Sequence, residues 1–365
     1  MANKGEKSET YVILKLAGEG ILVEGDENLN PVPENVYRLL KIILNKNLSA
    51  ETFFLNLENN NTVSVSTSRI AEISRAPRKD FLAAAKHVLN EIKNSPNGKS
   101  QNTGTSFLNK LGVSFTKSSS GQKNDLQVVV IDRGTQKPIE FGFSIKSNLG
   151  ADPTLVNASK ATRLRYKLSE SLPKDVIEKF NTLRKNNKTD WEGKFRILSE
   201  HRIELDFVGC TESIYEENLS FVDTQFPHVL AQMVLNYYKD RRLKKFTSAV
   251  EQLVIDNPIC LNVSNKNLIY ETLVKRFLHQ HVLGMNAKKS WDGNYSVTGG
   301  CIVVKSDGNL VCFYTYNFNK LDDFLFRSAA FDTPSAKKHE FGTIEKVGND
   351  LFLNLNFQVR DTLTE

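Results

Sequence analysis

Residues 123–147, KNDLQVVVIDRGTQKPIEFGFSIKS, carry the residue types that could do chemistry. In the second apolar run Ile139, Phe141, Phe143 and Ile145 alternate with Glu140, Gly142, Ser144 and Lys146. Period-two alternation puts the four apolar side chains on a buried face and Glu140, Ser144 and Lys146 on the other. The polar stretch DRGTQKP joins this run to Leu126–Ile131 as a hairpin, and a turn centred between Gly134 and Lys137 sets Asp125 opposite Lys146. A hard carboxylate oxygen there could hold Mg²⁺, which polarises a phosphate and makes water a better nucleophile. A lysine beside it could orient that water or neutralise developing charge. A solvated cross-strand ion pair explains the same two residues.

The acidic position two before the lysine is Ser144. Glu140 lies six residues from Lys146, roughly 20 Å along an extended strand at about 3.3 Å per residue, so it cannot stand in directly. Glu6 and Glu9, three apart on a helix, share a face and could bring a carboxylate to the hairpin. A solvated first turn, favourable to the helix dipole, also accounts for them.

Five N-terminal stretches of the chain must position these groups. KGEKSETYVILKLAGEG and RKDFLAAAKHVLNEIKN read as helices, VYRLLKIIL as a third short one, and ETFFLNL and NTVSVST as strands. Residues 95–105, SPNGKSQNTGT, are the best boundary. Downstream come a helix near 174–186, the strand RIELDFVGC, and the helix FPHVLAQMVLNYY ending in the basic run KDRRLKK. YSVTGGCIVV and NLVCFYTYN flank an Asp307–Gly308 turn, a strong hairpin signal. The expected fold is α/β (α+β), a mixed β-sheet flanked by helices with a strand-rich C-terminal subdomain. Three segments are expected: 1–100 lending a helix to the site, 101–245 as the core, and 246–365 for recognition.

Composition sets outer limits. The 365 residues carry 48 Lys+Arg against 42 Asp+Glu, a formal +6, with 40% apolar residues. That is ordinary globular composition and excludes a disordered or small disulfide-stapled protein. No apolar run is long enough to span a membrane, and the polar start MANKGEKSETY lacks a secretory signal, so the cytoplasm is expected. Cys210, Cys260, Cys301 and Cys312 form no CxxC pair, which argues against structural zinc. His279 and His281, at i and i+2 of a helix, face different ways and read as structural.

The Asp–Lys hairpin resembles the PD-(D/E)XK nuclease core. Beyond it, KGEKSETYVILKL, EFGFSIKSNLGADPTLVNASKAT, ENLSFVDTQFPHVLAQMVLNYY, GMNAKKSWDGNY with VTGGCIVV, FDTPSAKKHEFG and NLNFQVR resemble, in order, stretches of the HpaII-type restriction endonuclease family. The resemblance implies a prokaryotic type II enzyme that makes Mg²⁺-dependent double-strand breaks at a short palindrome, CCGG being the family namesake's site. It implies Asp125 as metal ligand, Lys146 as catalytic lysine and Ser144 as the altered acidic position. Glu9 becomes the supplementary carboxylate, with Glu6 second. Asn124 stands where the acronym has Pro.

The loop after Lys146 fits that reading, since Asn148, Asn157, Ser159, Lys160, Thr162 and Arg163 could contact phosphates or base edges. Lys337, Lys338 and His339 could do the same, although a capped turn and a solvated loop explain both stretches as well. Implied partners are double-stranded DNA, a second copy as homodimer, and a methyltransferase acting on the same site, with no membrane. Two other classes stay open: a repair or structure-specific nuclease, and a DNA-binding protein in which Ser144 has ended catalysis.

Overall fold

The structure is a computed structural model that describes residues 4–45, 51–94, 102–114 and 123–362. The chain divides into two compact units, one from Met1–Pro153 and Tyr295–Leu321, the other from Thr154–Asn294 and Asp322–Leu363. This differs from the three expected segments 1–100, 101–245 and 246–365. The strands Gly300–Val304 and Leu310–Tyr314 form the hairpin expected around Asp307–Gly308, but they join the N-terminal sheet rather than a separate subdomain. Of the expected boundary at 95–105, residues 95–101 lie outside the described residues. The helix after it buries Leu108 in the same core as the helix before it.

In the first unit α1 (Lys4–Glu19) leads into β1 (Ile21–Gly25), β2 (Pro31–Leu44), β3 (Phe53–Asn56), β4 (Thr62–Thr67) and β5 (Ser74–Pro77). Then come α2 (Arg78–Asn94), α3 (Thr103–Lys110), β6 (Leu126–Ile131) and β7 (Pro138–Ser147). VYRLLKIIL, expected as a helix, is the second half of β2. Its apolar run satisfies either period, and pairing with β1, β3 and β6 decides the matter. The sheet runs β5–β4–β3–β2–β6–β7, then Gly300–Val304, Leu310–Tyr314 and β1. Because β1 also pairs with β2, the six strands from β2 round to β1 close on one another in hydrogen-bonding order.

Tyr11, Val12, Ile13, Leu14 and Leu16 bury α1 on nearly all sides, against Phe81, Ala85, Val88 and Ile92 of α2 and the inner faces of β6 and β7. Burying a side chain of that size contributes about 1.5–3 kcal/mol. This packing fixes α1 against the strands that carry the site.

The second unit holds a four-stranded antiparallel sheet, in the order Leu205–Cys210, Leu164–Leu168, Asp350–Leu355, Ile344–Val347. A three-stranded sheet and the helices Phe226–Lys239 and Lys266–Leu283 accompany it. His279 Nδ1 meets Asp322 at 2.7 Å and His281 Nε2 meets the Tyr215 hydroxyl at 3.1 Å, both histidines buried, so they serve the core. The basic run KDRRLKK is a capped helix end: the Asp240 side chain accepts from Arg242 N, and Arg241 lies over the Tyr237 and Tyr238 rings. No helix among the described residues is long and apolar enough to cross a membrane.

Candidate active site

The β6–β7 hairpin closes through a six-residue loop in which Asp132 caps the turn, accepting from Thr135 N. That loop sets the register at Leu126 opposite Phe143, so Asp125 stands across from Ser144 and not, as expected, across from Lys146. The slip is two residues, which preserves the face, so Asp125, Ser144 and Lys146 remain on one side of the sheet. Asp125 N donates to Phe143 O at 2.9 Å, extending the ladder by one rung. Its Oδ2 accepts from Ile145 N at 2.8 Å and from Ser144 Oγ at 3.2 Å. Ser144 is buried, Lys146 half-buried, and Glu140 exposed further down β7.

Sequence reasoning missed Lys123. It is half-buried just ahead of Asp125, and burial pushes its ammonium down to about 8, with the neighbouring Lys146 charge adding and Asp125 opposing. Two cations thus flank the carboxylate, an arrangement suited to a polyanion. The only signal in the sequence was its spacing, two residues before Asp125.

Asn124 folds over Gly142. A Cβ on Gly142 would lie 2.5 Å from Asn124 Nδ2, so the side chain fits only above a glycine. Among the described residues Asn124 Oδ1 is buried with no hydrogen-bond partner. The site therefore holds an oxygen that burial has stripped of water without replacing its donor.

The first turns of α1 reach the Lys146 end of β7. Ser8 Oγ lies 2.8 Å from Ser147 Oγ, and a Cβ on Gly150, in the loop after β7, would sit 3.2 Å from Lys4 Cδ. Glu6 and Glu9, both half-buried, extend from these turns. No three of His, Cys, Asp and Glu form a cluster able to hold a metal among the described residues. Asp125, Glu6 and Glu9 are therefore not such a trio.

Of the residues expected to contact DNA, Asn148 stays with this unit, its N–H bound to Val304 O at 2.9 Å. The others belong to the second unit. Ser159 and Thr162, expected as donors to DNA, are buried in a reciprocal cap, and the Thr162 hydroxyl also donates to Asn356 Oδ1 at 2.8 Å. They shape the turn rather than face solvent. Asn157, Lys160 and Lys338 are exposed, and Lys160 Nζ pairs with Glu340 at 2.5 Å. Arg163 donates to the carbonyls of Lys160 and Glu340, each at 3.0 Å. Lys160, Lys338 and His339 line one open cavity of about 560 Å³ together with Lys288. The Lys338 and Lys288 charges, after burial, depress the His339 imidazole. Lys337 lies on a second, larger cavity.

Comparison of the sequence with known proteins identifies a family. The family model described as HpaII restriction endonuclease covers residues 3–360. The type II restriction enzyme HpaII of Haemophilus parainfluenzae is 36% identical over 360 residues, 98% of each chain. No solved structure matches the chain. With a family match over nearly its whole length, the chain belongs to the HpaII restriction endonucleases, site-specific deoxyribonucleases of type II.

Proposed function

We propose that the protein cuts both strands of duplex DNA at CCGG by Mg²⁺-dependent hydrolysis, with Asp125 and Lys146 at the centre of a PD-(D/E)XK-type site. The observation that carries this reading is Asp125 and Lys146 on one face at the end of a single hairpin, with Ser144 and the Ile145 N–H gripping the carboxylate.

The residues fit a hard cation. Asp125 offers a hard carboxylate oxygen, and Asn124 Oδ1 is a buried oxygen with no hydrogen-bond partner among the described residues. Mg²⁺ commonly takes one or two carboxylates and fills its shell with water and phosphate oxygens, so no trio is required. Asp125 would hold it, with Glu9 as the supplementary carboxylate and Glu6 second. When bound it polarises the scissile phosphate and acidifies the attacking water.

The chain's own groups do the rest. Ser144 Oγ and Ile145 N–H fix the Asp125 rotamer before substrate arrives, so little reorganisation remains for the reaction. Lys146 orients the attacking water and offsets negative charge on the phosphorus oxygens, and Lys123 adds a second positive charge to that surface. Asn148, Asn157, Lys160, Arg163, Lys337, Lys338 and His339 are proposed to hold backbone and bases. A second copy would match the palindrome's two-fold symmetry, and a methyltransferase of the same specificity would protect host DNA.

The test is digestion of a phage genome with and without Mg²⁺, with fragment ends sequenced. Discrete bands ending within CCGG, and none in EDTA, support the reading. A smear indicates a structure-specific nuclease. DNA bound but intact indicates a non-catalytic protein, the alternative that Ser144 keeps open.

A further inference from the structure

The segment Arg184–Thr189, RKNNKT, forms a two-stranded ribbon that belongs to no larger sheet. Asn186 and Asn187 both take left-handed backbone, with φ of 51° and 60°, which is the two-residue turn whose twist suits a hairpin. The ribbon has no apolar side chain, and an isolated ribbon of this kind is marginal by itself. Its ends are held instead. The helix Lys174–Thr182 precedes it, and Asp190, just after it, caps the helix Trp191–Glu200 by accepting from Gly193 N at 3.0 Å.

The pairing sets Lys185 directly opposite Lys188, both exposed. Like charges facing each other across a ladder oppose folding. Neither lysine, nor Arg184, has a carboxylate partner among the described residues. Folding alone gives no reason for three uncompensated cations on six residues. An external polyanion would relieve the repulsion.

Arg184 and Lys188 also line a cavity of about 920 Å³, together with Lys194 and Lys337. Its two carboxylates are engaged, Glu340 with Lys160 and Glu345 with Asn354 Nδ2 at 3.4 Å. The basic lining therefore continues from the ribbon to the Lys337 segment within one unit.

We propose that this ribbon and the cavity wall beside it are a DNA-backbone contact in which Arg184, Lys185 and Lys188 take duplex phosphates. The proposal rests on the reading of duplex DNA as substrate and adds a contact surface to it. The protein's affinity for a CCGG duplex is measured in EDTA over a range of salt for wild type, K185Q, K188Q and the triple variant R184Q/K185Q/K188Q. Removing one phosphate interaction should flatten the log–log salt slope by about 0.9, so each single variant drops about one unit and the triple roughly two to three. The triple should bind at least about tenfold more weakly near 0.1 M salt, on cognate and unrelated duplex alike. Its melting temperature should not fall, because the Lys185–Lys188 repulsion is gone. Wild-type slope and affinity in both single variants overturn the proposal, whether or not the triple folds. Wild type that fails to cut CCGG, with ribbon variants that still lose duplex binding, overturns the CCGG reading and leaves this one standing.

Discussion

Ser144 donates to Asp125 Oδ2 at 3.2 Å, so a hydroxyl on one strand steadies the carboxylate at the start of its neighbour. That bond helps to fix a rotamer for Asp125. Ser144 holds that oxygen with a side-chain hydroxyl and Ile145 holds it with a backbone N–H.

Ser144→Ala leaves the Ile145 N–H in place and removes one hydrogen bond worth roughly 0.5–1.5 kcal/mol, so cleavage should slow by about 2- to 13-fold. Ser144→Asp sets a second carboxylate against Asp125, and like charge raises the pKa of the pair. The acidic limb of its pH–rate profile should move to higher pH. An alanine variant as inactive as Asp125→Ala, or an aspartate variant with an unmoved profile, contradicts this role.

Gly142→Ala puts a methyl group 2.5 Å from Asn124 Nδ2, so the Asn124 side chain beside Asp125 must move. Cleavage should fall at least about tenfold with the protein still folded. Asn124→Gly on top of it should recover part of the loss, with a coupling of about 0.5–3 kcal/mol in a double-mutant cycle. Additive losses would mean that this packing does not position the site.

Glu9→Gln should raise the Mg²⁺ concentration needed for half-maximal cleavage by about tenfold or more, and Glu6→Gln by less. Mg²⁺ titrations of both variants decide which acid of α1 serves the site. Unchanged titrations in both would remove α1 from the metal assignment.

Lys194 tests the second unit's electrostatics. It is buried, donates to Gly342 O at 2.6 Å and lies 4.4 Å from the Phe180 ring centroid; burial pushes it down to about 8, with Arg184 adding. The folded pKa is thus below the unfolded value near 10.4. Between pH 8 and about 10.4 the unfolded chain binds more protons, so this group's contribution to stability rises with pH across that window. Wild type should gain up to roughly 3 kcal/mol relative to Lys194→Met between pH 7.5 and 10.5. Denaturant midpoints of the two proteins at both pH values measure it, and parallel changes would contradict it.

Local signals made much of this legible from sequence. The alternation in β7 and the apolar faces of α1 and α2 are dictated by short-range period, and the Asp307–Gly308 turn announces its hairpin. The failures turn on contacts that hydrophobic period and turn residues do not reveal. VYRLLKIIL is a strand because β1, β3 and β6 pair with it. The β6–β7 register depends on how Asp132 closes its loop, which moved Asp125 from Lys146 to Ser144 without changing its face. Lys123 gains its character from burial and from Lys146 across the hairpin, and neither can be read along the chain. Ser159 and Thr162 look like donors to DNA until Asn356, nearly two hundred residues away, claims the Thr162 hydroxyl.

The most direct test is a single-turnover assay on a CCGG duplex with Asp125→Ala and Lys146→Ala, alongside their affinity for that duplex without metal. Both variants should bind within a few-fold of wild type and show no measurable cleavage in Mg²⁺. Cleavage at the wild-type rate by either would place the catalytic centre elsewhere.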